Sequence, residues 1–342
     1  MSLVLTFLDE WALDYSKSNL DANEHRVSTF GAFDTFRRDT PNLIPGYTEF
    51  VAARGLEDRV VKIPTIVRSA FTAGSARSCT GETEENTSAM VTPTWTTITA
   101  GFQMIPSQYE ANYIGYQADF NNKMRATERL LATTLDTAAY THLQANRSAV
   151  NNADGNPYTC VSNAMVVPEE DAQLYFNELG AIMEQNDLPG QQNVIASPRT
   201  QALVREYSSQ GTSNAENRAF QFGDYSFAYS NRITVATTDR DTIFSMPVGS
   251  LAYLSWIDPD ARLGHKSGDG KEWMTVMMPL LGHEVGLLVQ STCADKSSVA
   301  SGLDATLVQS WSFSFDYSFN SAYNSDSTTY PGSIFKACVS KT

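Results

Sequence analysis

The 342-residue chain is poor in the residues that most chemistry requires. It has four cysteines, Cys79, Cys160, Cys293 and Cys338, and no CxxC or CxH spacing. A zinc site therefore has no ligand set, and thiols this scattered read as reduced residues of a protein made in a cytoplasm. The four histidines, His25, His142, His265 and His283, fall in four separate segments, so none belongs to a local constellation. The chain carries no G-x-S-x-G elbow, phosphate loop, H-E-x-x-H or G-x-G-x-x-G. No apolar run approaches the ~18 residues of a membrane span. No basic region precedes the first apolar residues, so a signal peptide is not expected. Positive charge is also scarce: 24 Lys and Arg against 38 Asp and Glu leave a net charge of −14. That argues against a surface built to grip nucleic acid. It does not exclude enclosing nucleic acid, because a container wall gains from weak repulsion of its contents.

What is present describes a folded protein, 42% hydrophobic and 11% aromatic. Its length suits two domains or one elaborated domain. The organising stretch is residues 113–147, which contain no Pro and one Gly, Gly115. Tyr113, Tyr116, Phe120, Met124, Thr127, Leu131, Leu135, Ala138 and His142 recur at steps of three and four, the stripe of an α-helix. At ~1.5 Å per residue such a helix spans on the order of 50 Å. It needs something extended to lie along, a sheet or a long β-arm.

Ahead of it, residues 2–17 read as an amphipathic helix with Leu5, Leu8, Trp11, Ala12 and Tyr15 on one face, packed either on its own domain or on a neighbour. Residues 21–47 are polar and irregular, with Pro41 and Pro45, and read as an extended arm. Residues 60–67 and 91–105 are β-rich and flank the polar stretch 72–88, which predicts a projecting hairpin. Behind the long helix, 168–186 predicts a helix with Leu174, Leu179, Ile182 and Met183 buried. Residues 193–196 read as a buried strand, Ser197 as an N-cap and 199–208 as a helix. A β-hairpin is expected over 222–235, a strand over 250–257, two strands in 272–290 and a last strand at 334–339. Residues 311–319 alternate, with Trp311, Phe313, Phe315, Tyr317 and Phe319 on one face.

Candidates for chemistry are few. His142 reads as a face residue of the long helix, not a ligand. Asp239, Asp241, Asp258 and Asp260 offer loop carboxylates of the kind a glycosidase pairs, but short loop acids are far more often turn formers. Glu82, Glu84 and Glu85 cluster at the hairpin tip; calcium would need several more oxygens there, so a solvated or inter-subunit cluster is the better reading. No metal, cofactor or catalytic residue is expected.

The order of parts (arm, long hairpin with a polar tip, one very long helix, a helix-and-strand domain, then a return into long strands) resembles a tailed-bacteriophage major capsid protein of the Hong Kong 97 type fold, also shared by encapsulins. Local echoes are Asn193-Val194-Ile195-Ala196-Ser197-Pro198 and Pro247-Val248-Gly249-Ser250. The resemblance implies an α+β fold with an N-terminal arm at 1–47, an extended loop at 48–110, a peripheral domain with the spine helix at 111–166, an axial domain at 167–264 and return strands at 265–342. It implies a non-enzymatic virion protein, assembled in the host cytoplasm into an icosahedral capsid of hexamers and pentamers. Its expected partners are copies of itself, a portal, separate scaffolding or decoration proteins, and double-stranded DNA held without base-specific contacts; no membrane partner is expected. Leu5, Leu8, Trp11, Arg77, Glu82, Glu84 and Glu85 are then the expected inter-subunit contacts. Some members crosslink through a Lys on the extended loop; residues 73–90 contain no Lys, which predicts a non-covalent shell. Met1 and the lack of a charged helical leader predict that scaffolding is a separate protein. The alternatives are an encapsulin-like compartment and, from another class, a β-rich carbohydrate-active hydrolase using loop carboxylates.

Overall fold

The computed structural model describes residues 3–17, 30–44, 63–67, 88–109, 112–148, 157–188, 190–209, 221–222, 225–295, 305–324 and 332–341. The helices are α1 (Leu3–Lys17), α2 (Gly31–Leu43), α3 (Tyr113–Ala145), α4 (Ala172–Gln185), α5 (Thr200–Ser209) and α6 (Pro259–Leu263). The strands are β1 (Ile63–Val67), β2 (Ser88–Val91), β3 (Thr96–Met104), β4 (Thr159–Val161), β5 (Ala164–Val167), β6 (Gln192–Ala196), β7 (Gln221–Phe222) and β8 (Tyr225–Tyr229). They continue with β9 (Asp239–Pro247), β10 (Leu251–Trp256), β11 (Lys271–Met278), β12 (His283–Asp295), β13 (Ala305–Ser321), β14 (Tyr323–Asn324) and β15 (Phe335–Ser340). The chain is α+β, as its pattern predicts. It divides into two compact units, unit 1 (residues 1–27, 94–135 and 255–318) and unit 2 (28–93, 136–254 and 319–342).

Unit 1 is built where the long helix meets the returning strands. Its sheet runs β3-β13-β12-β11, antiparallel throughout. The aromatic alternation of β13 buries Trp311, Phe313 and Phe315, and β3 runs antiparallel beside them from Met104↔Gln309 to Thr96↔Tyr317. Beyond Phe315 the expected alternation slips: Ser318 is buried while Tyr317 and Phe319 are half-buried. The α3 stripe lies on this sheet. Phe120 is 0% exposed, with ring centroids 4.8 Å from Trp311 and 5.7 Å from Phe102. Tyr116 donates its hydroxyl to Gln309 at 2.7 Å, and Lys123 donates to the Gln103 carbonyl at 3.0 Å. Glu128, almost fully buried, accepts the Leu280 N–H at 2.7 Å, which ties the β11–β12 turn to the helix.

Unit 2 has a seven-stranded mixed sheet, β4-β5-β15-β9-β6-β8-β7. Central β6 is buried throughout, parallel to β8 and antiparallel to β9. One face is covered by α4, whose Tyr175, Phe176, Leu179, Ile182 and Met183 join Val194, Ile243, Phe335 and Val339 in a single apolar cluster. A second, three-stranded sheet, β14-β1-β2, also belongs to this unit.

The described residues depart from expectation in five further places. Within the expected extended arm, residues 31–43 are the helix α2. Its inward face contains Thr35, Asp39 and Thr40, which read as loop residues. The Thr35 and Thr40 hydroxyls donate back to Gly31 O and Phe36 O at 2.7 Å each, so the helix satisfies them itself. The expected single strand at 91–105 is two: β2 pairs β1, and after Pro93, which has no N–H to give a ladder, β3 pairs β13 instead. Residues 233–236 form no strand; the hairpin is only the short β7–β8 pair. Leu174 is 48% exposed, because within α4 it lies five residues before Leu179 and so off the face that buries Tyr175, Leu179, Ile182 and Met183. Asp239 and Asp241 lie on strand β9, not in a loop.

Candidate functional site

Among the described residues no group of three His, Cys, Asp or Glu side chains is placed to hold a metal ion. His142 belongs to unit 2, while His265 beside Trp273 and His283 beside Phe315 belong to unit 1. His25, like Cys79, Arg77, Glu82, Glu84 and Glu85, lies outside the described residues.

The loop acids have structural work. Asp241 is completely buried and receives the hydroxyls of Ser197 and Thr200 and the Thr242 N–H at 2.8 Å. Burial raises its carboxyl above the ordinary range, although the hydrogen bonds from Ser197 and Thr200 pull the other way. It holds the start of α5 against the end of β6, and Ser197 spends its hydroxyl on this carboxylate. Asp258 accepts the Asp260 N–H at 2.9 Å and caps α6, whose first residue is Pro259. Two opposed carboxylates over a shared cleft are not formed by these acids. A groove on unit 1, lined by Glu10, Ile114, Gln117, Ala118, Asn121, Asn122 and Arg125, contains one acid.

What the chain does build is a set of supports for its α1, α2 and β1 segments. In α1, Phe7, Leu8 and Trp11 are buried within the chain, and the Phe7 ring lies 4.9 Å from Tyr116 and 5.7 Å from Phe120. Leu8 and Trp11, expected between subunits, are buried within the chain itself; the Leu5 side chain lies outside the described residues. The base of the expected hairpin is an antiparallel pair, Ile63↔Val91 to Ile66↔Ser88, and β1 is anchored on its other side by β14. Large exposed apolar residues include Leu13, Ile114, Leu130, Leu263, Met277 and Leu307 on unit 1 and Val161 and Leu174 on unit 2.

The acid that sequence reasoning missed is Asp136, 0% exposed on α3. It accepts the Phe33 N–H at 2.9 Å and the Ser230 hydroxyl at 2.5 Å. Asp39, also buried, accepts Gly249 N–H at 2.7 Å and Leu251 N–H at 2.9 Å. Both seat α2. No local pattern signals them, because their partners are about a hundred or more residues away along the chain.

No family model matches the chain, and no curated protein matches it. Solved structures do. A structure from Mycobacterium phage Che8 is 12% identical, covering 86% of this chain and 89% of that one, with a TM-score of 0.49. The capsid of Ralstonia phage GP4 is 9% identical, covering 82% and 83%, at 0.43. The holo-SrpI encapsulin complex from Synechococcus elongatus PCC 7942 is 9% identical, covering 87% and 89%, at 0.43. The chain is similar to these proteins along most of its length and of theirs.

Proposed function

We propose that this chain is a major capsid protein of the Hong Kong 97 type, which self-assembles into an icosahedral shell around double-stranded DNA. The observation that carries the reading is the construction around α3. A single 33-residue helix, entered almost directly from strand β3, lies with its aromatic stripe on the sheet made by the chain's return. Two further elements, α1 and the β1–β2 pair, precede it in the chain and, in this reading, are completed by neighbouring copies. Such parts gain most from symmetric neighbours. In the assembled shell, the extended loop expected at 48–110, with Arg77, Glu82, Glu84 and Glu85, reaches an adjacent copy, and hexamers and pentamers meet a portal at one vertex. Assembly takes place in the host cytoplasm, and the DNA is enclosed without base-specific contacts. The protein has no catalytic role; the acids it buries cap backbone and hydroxyl groups.

Electron microscopy of the purified protein, with light scattering for mass, tests this. Uniform closed particles are the expected result. A compact monomer or dimer that persists across salt conditions and with added scaffold overturns it.

A further inference from the structure

Helix α2 has no side-chain cap of its own at Phe30. Its first-turn N–H groups, from Ala32 and Phe33, are met instead by Asp136 of α3. Six residues further along α3, His142 lies under the same helix, its ring 5.6 Å from Phe36 at a T-shaped angle. The His142 Nε2 is buried with no hydrogen-bond partner among the described residues. Lifting α2 would bring water to both side chains. We propose that Asp136 and His142 form an opposed pair beneath α2: each makes the seating of this helix depend on pH, and the two act in opposite directions.

The directions follow from burial. Burial pushes the Asp136 carboxyl up to about 6, with hydrogen bonds from Ser230, Phe33 and Ala32 pulling it down and Asp34 adding a smaller push upward. The seated state therefore holds this proton more tightly than the lifted state does. The acid's contribution to seating is full below its ordinary value of ~3.9 and is lost as pH rises through the seated value. Burial pushes the His142 ring down to about 4. Its contribution runs the other way, full above the ordinary ~6.5 and lost as pH falls toward the seated value. The two windows overlap, and the slopes have opposite sign.

Among the described residues, α2 carries Asp34, Arg37, Arg38 and Asp39, the Arg232 N–H donates to Ser230, and Tyr253 of β10 lies against Phe33, with Tyr140 on α3 and Tyr229 on β8 the further titratable side chains of these elements. Arg37 pairs with Asp34 at 3.4 Å, Arg38 reaches Ser226, and Asp39 holds the 249–251 backbone. Only Asp34 moves Asp136 by its charge, and none of them moves His142.

Amide hydrogen exchange at Ala32 and Phe33 in the full chain reads the opening of α2, corrected for the intrinsic pH dependence of exchange, with α4 amides as the internal reference. In the wild type the two opposed slopes offset each other, so the opening constant changes less between about pH 7.5 and pH 4 than in either variant. Asp136→Asn keeps acceptor and shape but removes the acid, so opening increases on the order of a hundredfold as pH falls. His142→Phe fills the apolar seat without titrating, so opening decreases on the order of a hundredfold over the same range. A flat profile in either variant, or two profiles that tilt the same way, overturns the proposal. Should Asp136→Asn not fold, His142→Phe decides alone, a flat profile again refuting it.

Discussion

Phe120→Ala is the sharpest test of how α3 is held. Phe120 is 0% exposed and touches three rings: Trp311 at 4.8 Å, Phe102 at 5.7 Å and Phe7 at 5.7 Å between centroids. These come from β13, β3 and α1, so one side chain joins the helix to three partners in unit 1. A buried Phe→Ala change costs about 3–5 kcal/mol, the spread depending on how far the site collapses. Collapse is resisted here, because Trp311 is fixed in a paired strand and Phe102 in its neighbour. Each edge or tilted ring pair adds about 0.5–1.5 kcal/mol beyond area, though such contributions do not simply sum. The expected loss is therefore in the upper half of the range, about 4–5 kcal/mol. Against a typical total of about 5–15 kcal/mol this is large. Urea unfolding of the unassembled protein measures it, with α3 amide exchange assigning the change to unit 1. Phe120→Leu, which keeps most of the volume, should lose far less. A Phe120→Ala loss below about 1 kcal/mol would show that the helix stripe is not what seats α3.

Leu131→Pro removes a helix N–H and a fully buried side chain in mid-α3, at about 3 kcal/mol or more for the backbone alone. Far-UV circular dichroism should show lost helix, and an unchanged spectrum and melt would contradict the continuous helix. Glu128→Ala leaves the Leu280 N–H buried without its acceptor, at about 1–3 kcal/mol, whereas Glu128→Gln keeps an acceptor and should lose clearly less. Equal losses in denaturant midpoints would remove the hydrogen bond from the account. Deleting residues 72–88 should leave a folded protein that assembles poorly by light scattering. Outright unfolding would mean that this segment is core.

What the sequence displayed, and what it hid, divides by the kind of residue involved. Helix α3 was legible to within two residues, because Tyr116, Phe120, Met124, Leu131 and Leu135 are apolar and their period is local. The strands β11 and β12 were legible because Pro279 and Gly282 mark the turn between two apolar runs. Strand β9 was not, since it opens with Asp239, Arg240 and Asp241 and its later residues are buried on both faces, leaving no alternation. Helix α2 was hidden by Thr35, Asp39 and Thr40 on its inner face and by Pro41 in its last turn.

These misreadings share one physical cause. A buried acid or hydroxyl is stable only if its hydrogen bonds are made, and a sequence shows the group but not the distant partner. Asp136 meets Phe33 N–H 103 positions away, Asp39 meets Leu251 N–H 212 positions away, Glu128 meets Leu280 N–H 152 positions away, and Asp241 meets Ser197 44 positions away. In each case a carboxylate takes a backbone or hydroxyl donor that its own segment leaves unpaired. Asp136 and Asp39 hold the two ends of α2, Glu128 the β11–β12 turn, and Asp241 the start of α5. Acids that could suggest catalysis are therefore fasteners that join one segment to the backbone or hydroxyl donors of a distant one. The same logic makes replacement by the isosteric amide milder than replacement by Ala at every one of these sites, because the donor, not the charge, is what the fold must satisfy.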